Sequence, residues 1–254
     1  MVVNVRQCVS VTLSVLLFTS FTVSGNDKQS ATSASVAAEK PNTLNEAEKN
    51  AGWTLLFDGK STLGWHTFQQ PEGTPSWKVV DGTLTVDPGA SGVQHGDLAT
   101  DKAYENYELK FEWKSPENGN SGVFINVQED AEHPIAWQTG LEYQLLGVAH
   151  ADNDDSAKKT GEIFGYTSQI ATSPAHGDGQ WNQSSIRQTD GKVEFYLNGN
   201  LTTRVDIYSE QWKNWVATSR FKDFPAFGAS AKGHIVLQEW TSTIYFRNMK
   251  LRTL

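Results

Sequence analysis

The chain has 254 residues, 29 acidic against 21 basic, and a formal net charge of −8. That balance argues against nucleic acid and anionic membrane surfaces as partners, because both need clustered positive charge. The single cysteine, Cys8, lies near the N-terminus, so the rest of the chain must be held by its core and not by disulfides.

MVVNVRQ carries one positive charge and leads into CVSVTLSVLLFTSFTV, which is apolar but too short and interrupted to span a membrane comfortably. Val23-Ser24-Gly25 then has the small-residue spacing of a signal-peptidase site. Residues 1–25 read as a cleaved secretory signal, with a buried helix or retained anchor as the alternative, and imply export to the periplasm or the medium. Losing Arg6 makes the mature chain one unit more negative, without a cysteine and with no membrane insertion expected. Residues 26–42, rich in Ser, Ala, Lys and Asn and lacking aromatics, read as a disordered linker. Thr43-Leu44-Asn45-Glu46 has the form of a capping box and predicts one or two helical turns. The remainder, residues 43–254, suffices for one sizeable core and is too short to require two domains.

From Trp53 onward the apolar period is two. YELKFEWK places Tyr107, Leu109, Phe111 and Trp113 on one face and charged residues on the other. KVEFYLNG repeats the pattern and ends in Asn198-Gly199, a pair suited to a tight hairpin. WKVVDGTLTV, with a turn at Asp81-Gly82, and GVFINVQE, GLEYQLL, WNQSSIRQ, GHIVLQEW and TIYFRNMKLR are further strands. No stretch after residue 50 sustains a helical period for three turns. The chain is therefore all-β, an antiparallel sandwich or barrel.

GLEYQLL poses a specific problem. If Leu141, Tyr143 and Leu145 face the core, Glu142 and Gln144 share the opposite face. Asn126 and Gln128 alternate on GVFINVQE, and GHIVLQEW offers Gln238 with Trp240, or Glu239 in the other register. Amides, a carboxylate and aromatics on neighbouring strands are how a concave sheet builds a ligand face. An ordinary solvated sheet face is the competing explanation. The nine Trp, seven Tyr and twelve Phe raise the case for sugar binding only slightly, since most serve as core in sandwiches.

These residues carry a resemblance. Leu56-Phe57-Asp58-Gly59-Lys60 with Gly64-Trp65, Glu112-Trp113-Lys114, Gly119-Asn120-Ser121-Gly122-Val123-Phe124, Trp137-Gln138-Thr139-Gly140 before Glu142-Tyr143-Gln144, Trp181-Asn182, Gly233-His234-Ile235 through Gln238 and Phe246-Arg247-Asn248 follow one another as in one family. In order and spacing the chain resembles the secreted 3-keto-disaccharide hydrolases, also described as 3-keto-glucoside lyase/hydratase domains. That resemblance implies a two-sheet concanavalin A-like jelly roll acting on an oligosaccharide or glycoside. It also implies base-assisted elimination and hydration, with net hydrolysis: a 3-keto group acidifies the C2 hydrogen, a base removes it, the C1 oxygen leaves and water adds back.

On this reading Glu142 is the base or a metal ligand, Glu239 the second candidate catalytic carboxylate, and Gln144, Asn126, Gln238 and Trp240 the substrate binders. His150 and Asp152 match a His-x-Asp pattern after the Glu142 strand and are candidate ligands for a divalent metal ion, although GVAHADND also reads as a solvated acidic loop. No nucleotide or organic cofactor is implied. Trp181-Asn182 is expected at a strand start near the same face. Two departures stand out. The family often has aspartate where this chain has Gly147, and Asp-His-Gly where it has Glu239-Trp240-Thr241. A non-catalytic lectin-like module on the same fold, with Trp240 stacking on sugar rings, is the alternative.

Overall fold

A computed structural model describes residues 40–254, apart from residues 71, 169, 172 and 178. The expected secretory signal and most of the expected linker lie outside the described residues. Asn42, at the end of that segment, is buried and exchanges hydrogen bonds with Asn248: its N–H donates to Asn248 Oδ1 at 2.6 Å and its Oδ1 accepts from Asn248 N at 2.8 Å. The first helix, α1 (Glu46–Asn50), is the short helix that the sequence predicts here, but its cap is two residues later than Thr43. Asn45 caps it, accepting from Glu48 N at 2.9 Å while Glu48 accepts from Asn45 N. Thr43 instead donates its hydroxyl to Lys40 O, because the chain turns at residues 41–42 before the helix can begin.

Thirteen strands follow among the described residues: β1 (Thr54–Leu55), β2 (Trp65–Thr67), β3 (Trp77–Val80), β4 (Thr83–Val86), β5 (Leu98–Thr100), β6 (Tyr107–Lys114), β7 (Asn120–Val127), β8 (Leu141–Leu146), β9 (Asn182–Thr189), β10 (Lys192–Leu197), β11 (Asn200–Asp206), β12 (His234–Leu237) and β13 (Ile244–Thr253). They form two antiparallel sheets. One runs β11-β10-β9-β6-β13-β4-β3 with β1 beside β13; the other runs β2-β5-β12-β7-β8. The helix α2 (Glu210–Thr218), capped by Ser209, has nine residues and so falls short of three turns.

Hairpins close where the sequence supplies left-handed residues. Asp81-Gly82 joins β3 to β4 with φ of 49° and 73°, and Asn198-Gly199 joins β10 to β11 with 49° and 83°. Between the sheets, Tyr107, Leu109, Phe111 and Trp113 of β6 are all at most 1% exposed. They pack towards Tyr143 of β8, whose ring meets Phe111 edge-on at 5.6 Å. Its hydroxyl is satisfied by Ser184 at 2.8 Å and by the Tyr196 carbonyl at 3.0 Å.

The outer face of the five-stranded sheet carries a second, smaller cluster of Phe68, Ala99, Phe124, Val127, Ala136 and Val236. Glu142 and Gln144 lie on this side, opposite Leu141, Tyr143 and Leu145, as their alternation predicts. Asn126 does not. Its φ of 64° and the register shift between β7 and β12 turn its side chain inward, where Nδ2 donates to Gln188 Oε1 at 2.7 Å. Trp181 is also misplaced by the sequence reading. It sits on the far sheet between the Arg247 guanidinium, 4.0 Å from its ring, and Lys114 at 5.1 Å.

Candidate active site

Glu142 is the second residue of β8, and backbone bonds hold that strand from both sides. β7 pairs with it on one side, placing Phe124 opposite Glu142 and Gly122 opposite Gln144. On the other side residues 160–164 run alongside: Gly161 N donates to Gln144 O at 2.8 Å, Gln144 N to Glu162 O at 3.0 Å, and Phe164 N to Glu142 O at 3.0 Å. Gly122 makes room for the carboxylate, because a Cβ there would come within 2.8 Å of Glu142 Cγ and overlap an oxygen.

The carboxylate forms part of the wall of a cavity of about 240 Å³ whose other walls include Trp137, Phe164, Phe221, Phe227 and Trp240. Asn120, Gly140, Asp152, Arg220 and Gln238 complete the lining. Phe221 and Phe227 stack at 3.7 Å, and Trp240 stands at the mouth, 56% exposed. Such a chamber, apolar with a few polar groups, suits a sugar ring. A larger groove of about 780 Å³ between α2 and β10–β11 contains Glu194, but that carboxylate is already paired with Arg204 at 2.8 Å.

Burial pushes the Glu142 carboxyl up to about 8, and the negative charge of Asp97 adds to the rise. A hydrogen bond from the Gln238 side chain and the charge of Arg220 partly oppose it. Asp97, just before β5, is itself pushed up to about 7, first by burial and also by the charge of Glu239. Two neighbouring carboxyls with raised pKa values, one of them facing a cavity, make this the candidate site for proton transfer. Asp97 does not line the cavity; its charge acts on Glu142 through space. Sequence reasoning missed both Asp97 and Arg220.

Of the residues singled out from sequence, the structure brings Glu142, Gln238, Trp240 and Asp152 to the cavity. Gln238 is on the Trp240 side of the register, and its Oε1 has no hydrogen-bond partner, leaving an acceptor for a hydroxyl. Gln144 neighbours Glu142 but is sealed at 1% exposure and does not line the cavity. Glu239 is also kept from the cavity. One oxygen accepts from Ser76 Oγ at 2.6 Å and Gly96 N at 2.7 Å, the other contacts His95 Nδ1 at 2.5 Å, and its own N–H donates to Asp97 Oδ1. Glu239 thus anchors the 95–97 segment that presents Asp97.

The residues present do not fit a divalent metal. His150 caps a short 3₁₀ turn with Nδ1, accepting from Asp152 N at 3.1 Å, and its Nε2 faces Asn120 Nδ2 at 3.4 Å. Asp152 is paired with Lys158 at 2.9 Å. Among the described residues no three His, Cys, Asp or Glu side chains are grouped to hold an ion.

The sequence profile of the 3-keto-alpha-glucoside-1,2-lyase-like domain matches residues 52–252, the span that carries both sheets and the cavity. The chain belongs to this family. A relative, the 3-keto-disaccharide hydrolase of Bacteroides thetaiotaomicron, is 26% identical over 91% of this chain and 90% of its own length. A crystal structure of a candidate glycosyl hydrolase from Parabacteroides distasonis is 32% identical, covers 85% of this chain and 100% of its own, and superposes with a TM-score of 0.75. A second from the same species is 26% identical, covers 80% and 99%, and has a TM-score of 0.63. Together with the lyase-like family assignment, these place the chain among glycoside-cleaving enzymes with the two-sheet jelly-roll fold.

Proposed function

We propose that the protein cleaves glycosides carrying a keto group at C3, by elimination across C2–C1 followed by hydration, with Glu142 as the base. The observation that carries this reading is a buried carboxyl, raised to about 8, exposed to an aromatic cavity without a cationic partner in contact. A glycosidase working through an oxocarbenium ion needs two carboxyls flanking the bond. Here the other carboxylate lining the cavity, Asp152, is engaged by Lys158. Elimination needs only one group that takes a proton and returns it.

Glu142 takes the C2 hydrogen as a proton and the C–H electron pair forms the C2=C3 enolate, with its charge on the C3 oxygen; as the ketone re-forms, that pair becomes the C1=C2 double bond and the C1–O bond breaks. The departing oxygen takes the proton from Glu142, whose raised pKa makes it a stronger base than an ordinary carboxylate and lets it hold the proton in between. Water then adds, OH to C1 and H to C2. Gln238 holds the carboxylate through its amide and keeps Oε1 for a sugar hydroxyl. Trp240 at the mouth offers its face to the leaving group.

Incubation with an aryl 3-keto-glucoside tests the reading directly, with release of the phenol followed between pH 6 and 10. Because the base must be ionised, kcat/KM should rise about tenfold per pH unit and level off near pH 8. A rate that falls as pH rises through 8 would make Glu142 an acid and sink the proposal.

We also infer that the enzyme works after export, on the strength of residues 1–25, the one-charge start and the small-residue site. Protein recovered from the periplasm or medium is expected to begin at or near residue 26. An intact Met1 terminus in cytosolic protein would count against export.

A further inference from the structure

Arg220 follows α2, and its side chain reaches the cavity that contains Glu142. Among the described residues it is the one cation lining that cavity, since Lys158 and Lys159 do not. It makes no ion pair there. Its guanidinium carbon lies 4.9 Å from the Phe164 ring and 5.7 Å from the Phe221 ring, contacts that hold the charge in place without neutralising it. Phe221 is in turn fixed by its stack on Phe227 and by Trp215 at 5.9 Å. Arg220 and Glu142 sense each other's charge yet are too far apart to pair, so a gap separates base from cation.

We propose that Arg220 is a catalytic residue that stabilises the enolate, donating to the C3 oxygen as the C2 proton leaves for Glu142. This rests on the 3-keto-glycoside reading above. Removing the C2 proton puts negative charge on the oxygen one bond beyond the neighbouring carbon, so the oxyanion forms next to the base but not on it. A cation across a small gap from the base meets that geometry. Guanidinium suits the task, because it stays charged, offers paired N–H donors and tolerates an aromatic bed. Before the substrate arrives its donors are uncommitted to any carboxylate, so no ion pair has to be broken when the oxyanion forms.

The test compares wild type, Arg220→Lys and Arg220→Ala on the aryl 3-keto-glucoside, measuring kcat, KM and exchange of the C2 hydrogen in D2O by NMR. Arg220 is exposed, so unchanged thermal unfolding is expected in both variants. Arg220→Ala should lower kcat by about 10²–10³-fold with KM within a few-fold, and slow C2 exchange in parallel. Added guanidinium should restore part of the rate, and Arg220→Lys should fall in between. If wild type cleaves and Arg220→Ala keeps kcat within about threefold, or loses only KM, the assignment to Arg220 fails while the function stands. An increase in KM confined to glycosides bearing a carboxylate would likewise overturn it, by making Arg220 a substrate-anion site. Wild type that neither cleaves nor exchanges the C2 hydrogen overturns the reading of the site and this inference with it.

Discussion

Glu142→Gln is expected to lower kcat on a 3-keto-glucoside by about 10³-fold or more while the protein folds normally. The amide has nearly the shape of the acid, so it still occupies the space left by Gly122 and can still meet Gln238. It cannot take a proton from carbon. A second readout separates this from a packing effect. The folded carboxyl is raised to about 8 against 4.5 for the free group, so its favourable contribution is fully present below 4.5 and is lost as pH rises through 8. Wild type therefore loses stability across that window, and Glu142→Gln does not. The variant should gain on wild type by up to on the order of 3–5 kcal/mol at alkaline pH, visible as a difference in Tm that grows from pH 5 to pH 9. A variant retaining a tenth of the activity would remove Glu142 from the chemistry. A Tm difference that is flat with pH would mean that the carboxyl is not buried as described.

At Gly147, where the family resemblance anticipates an aspartate, Gly147→Asp is expected to destabilise the fold by at least about 3 kcal/mol. A Cβ at this position would overlap the carbonyl oxygens of Pro116 and Glu117 and lie 2.5 Å from the Glu117 carbonyl carbon. Those are backbone atoms, held by bonds from Gly119 N to Pro116 O and from Ala149 N to Glu117 O. An aspartate would also bring negative charge against two carbonyl dipoles. The urea midpoints of Gly147→Ala and Gly147→Asp would check this. A wild-type midpoint for the aspartate would show that the 116–117 turn yields freely. On this geometry Gly147 is a demand of the turn beside it, and the site is built around the substitution.

Where strands are long enough to show a period, the sequence is legible down to single side chains. β6 and β10 alternate cleanly, and Glu142 is placed on the outer face by its neighbours Leu141 and Tyr143 alone. Asp97 escaped because β5 has three residues, too few to display alternation, so Gly96-Asp97-Leu98 reads as a loop. Arg220 escaped because it lies in an irregular stretch after α2, and what brings it to the cavity is aromatic packing between Phe164, Phe221 and Phe227. Asn126 and Glu239 failed for a shared reason. Alternation is trustworthy only while the ladder is regular, and a positive φ at Asn126 and the end of β12 at Leu237 both break it.

The 160–164 segment beside β8 has a consequence for how this protein withstands crowding by copies of itself. An uncovered, apolar, six-residue strand is a template on which another chain can add by strand exchange, and β8 is fully buried and rich in leucine. The flanking segment occupies its free amides and carbonyls, and the opposite margin of that sheet, β2, is only three residues long. Strand addition at the β8 margin is thereby blocked by the protein's own backbone, with no disulfide needed to hold the cover in place.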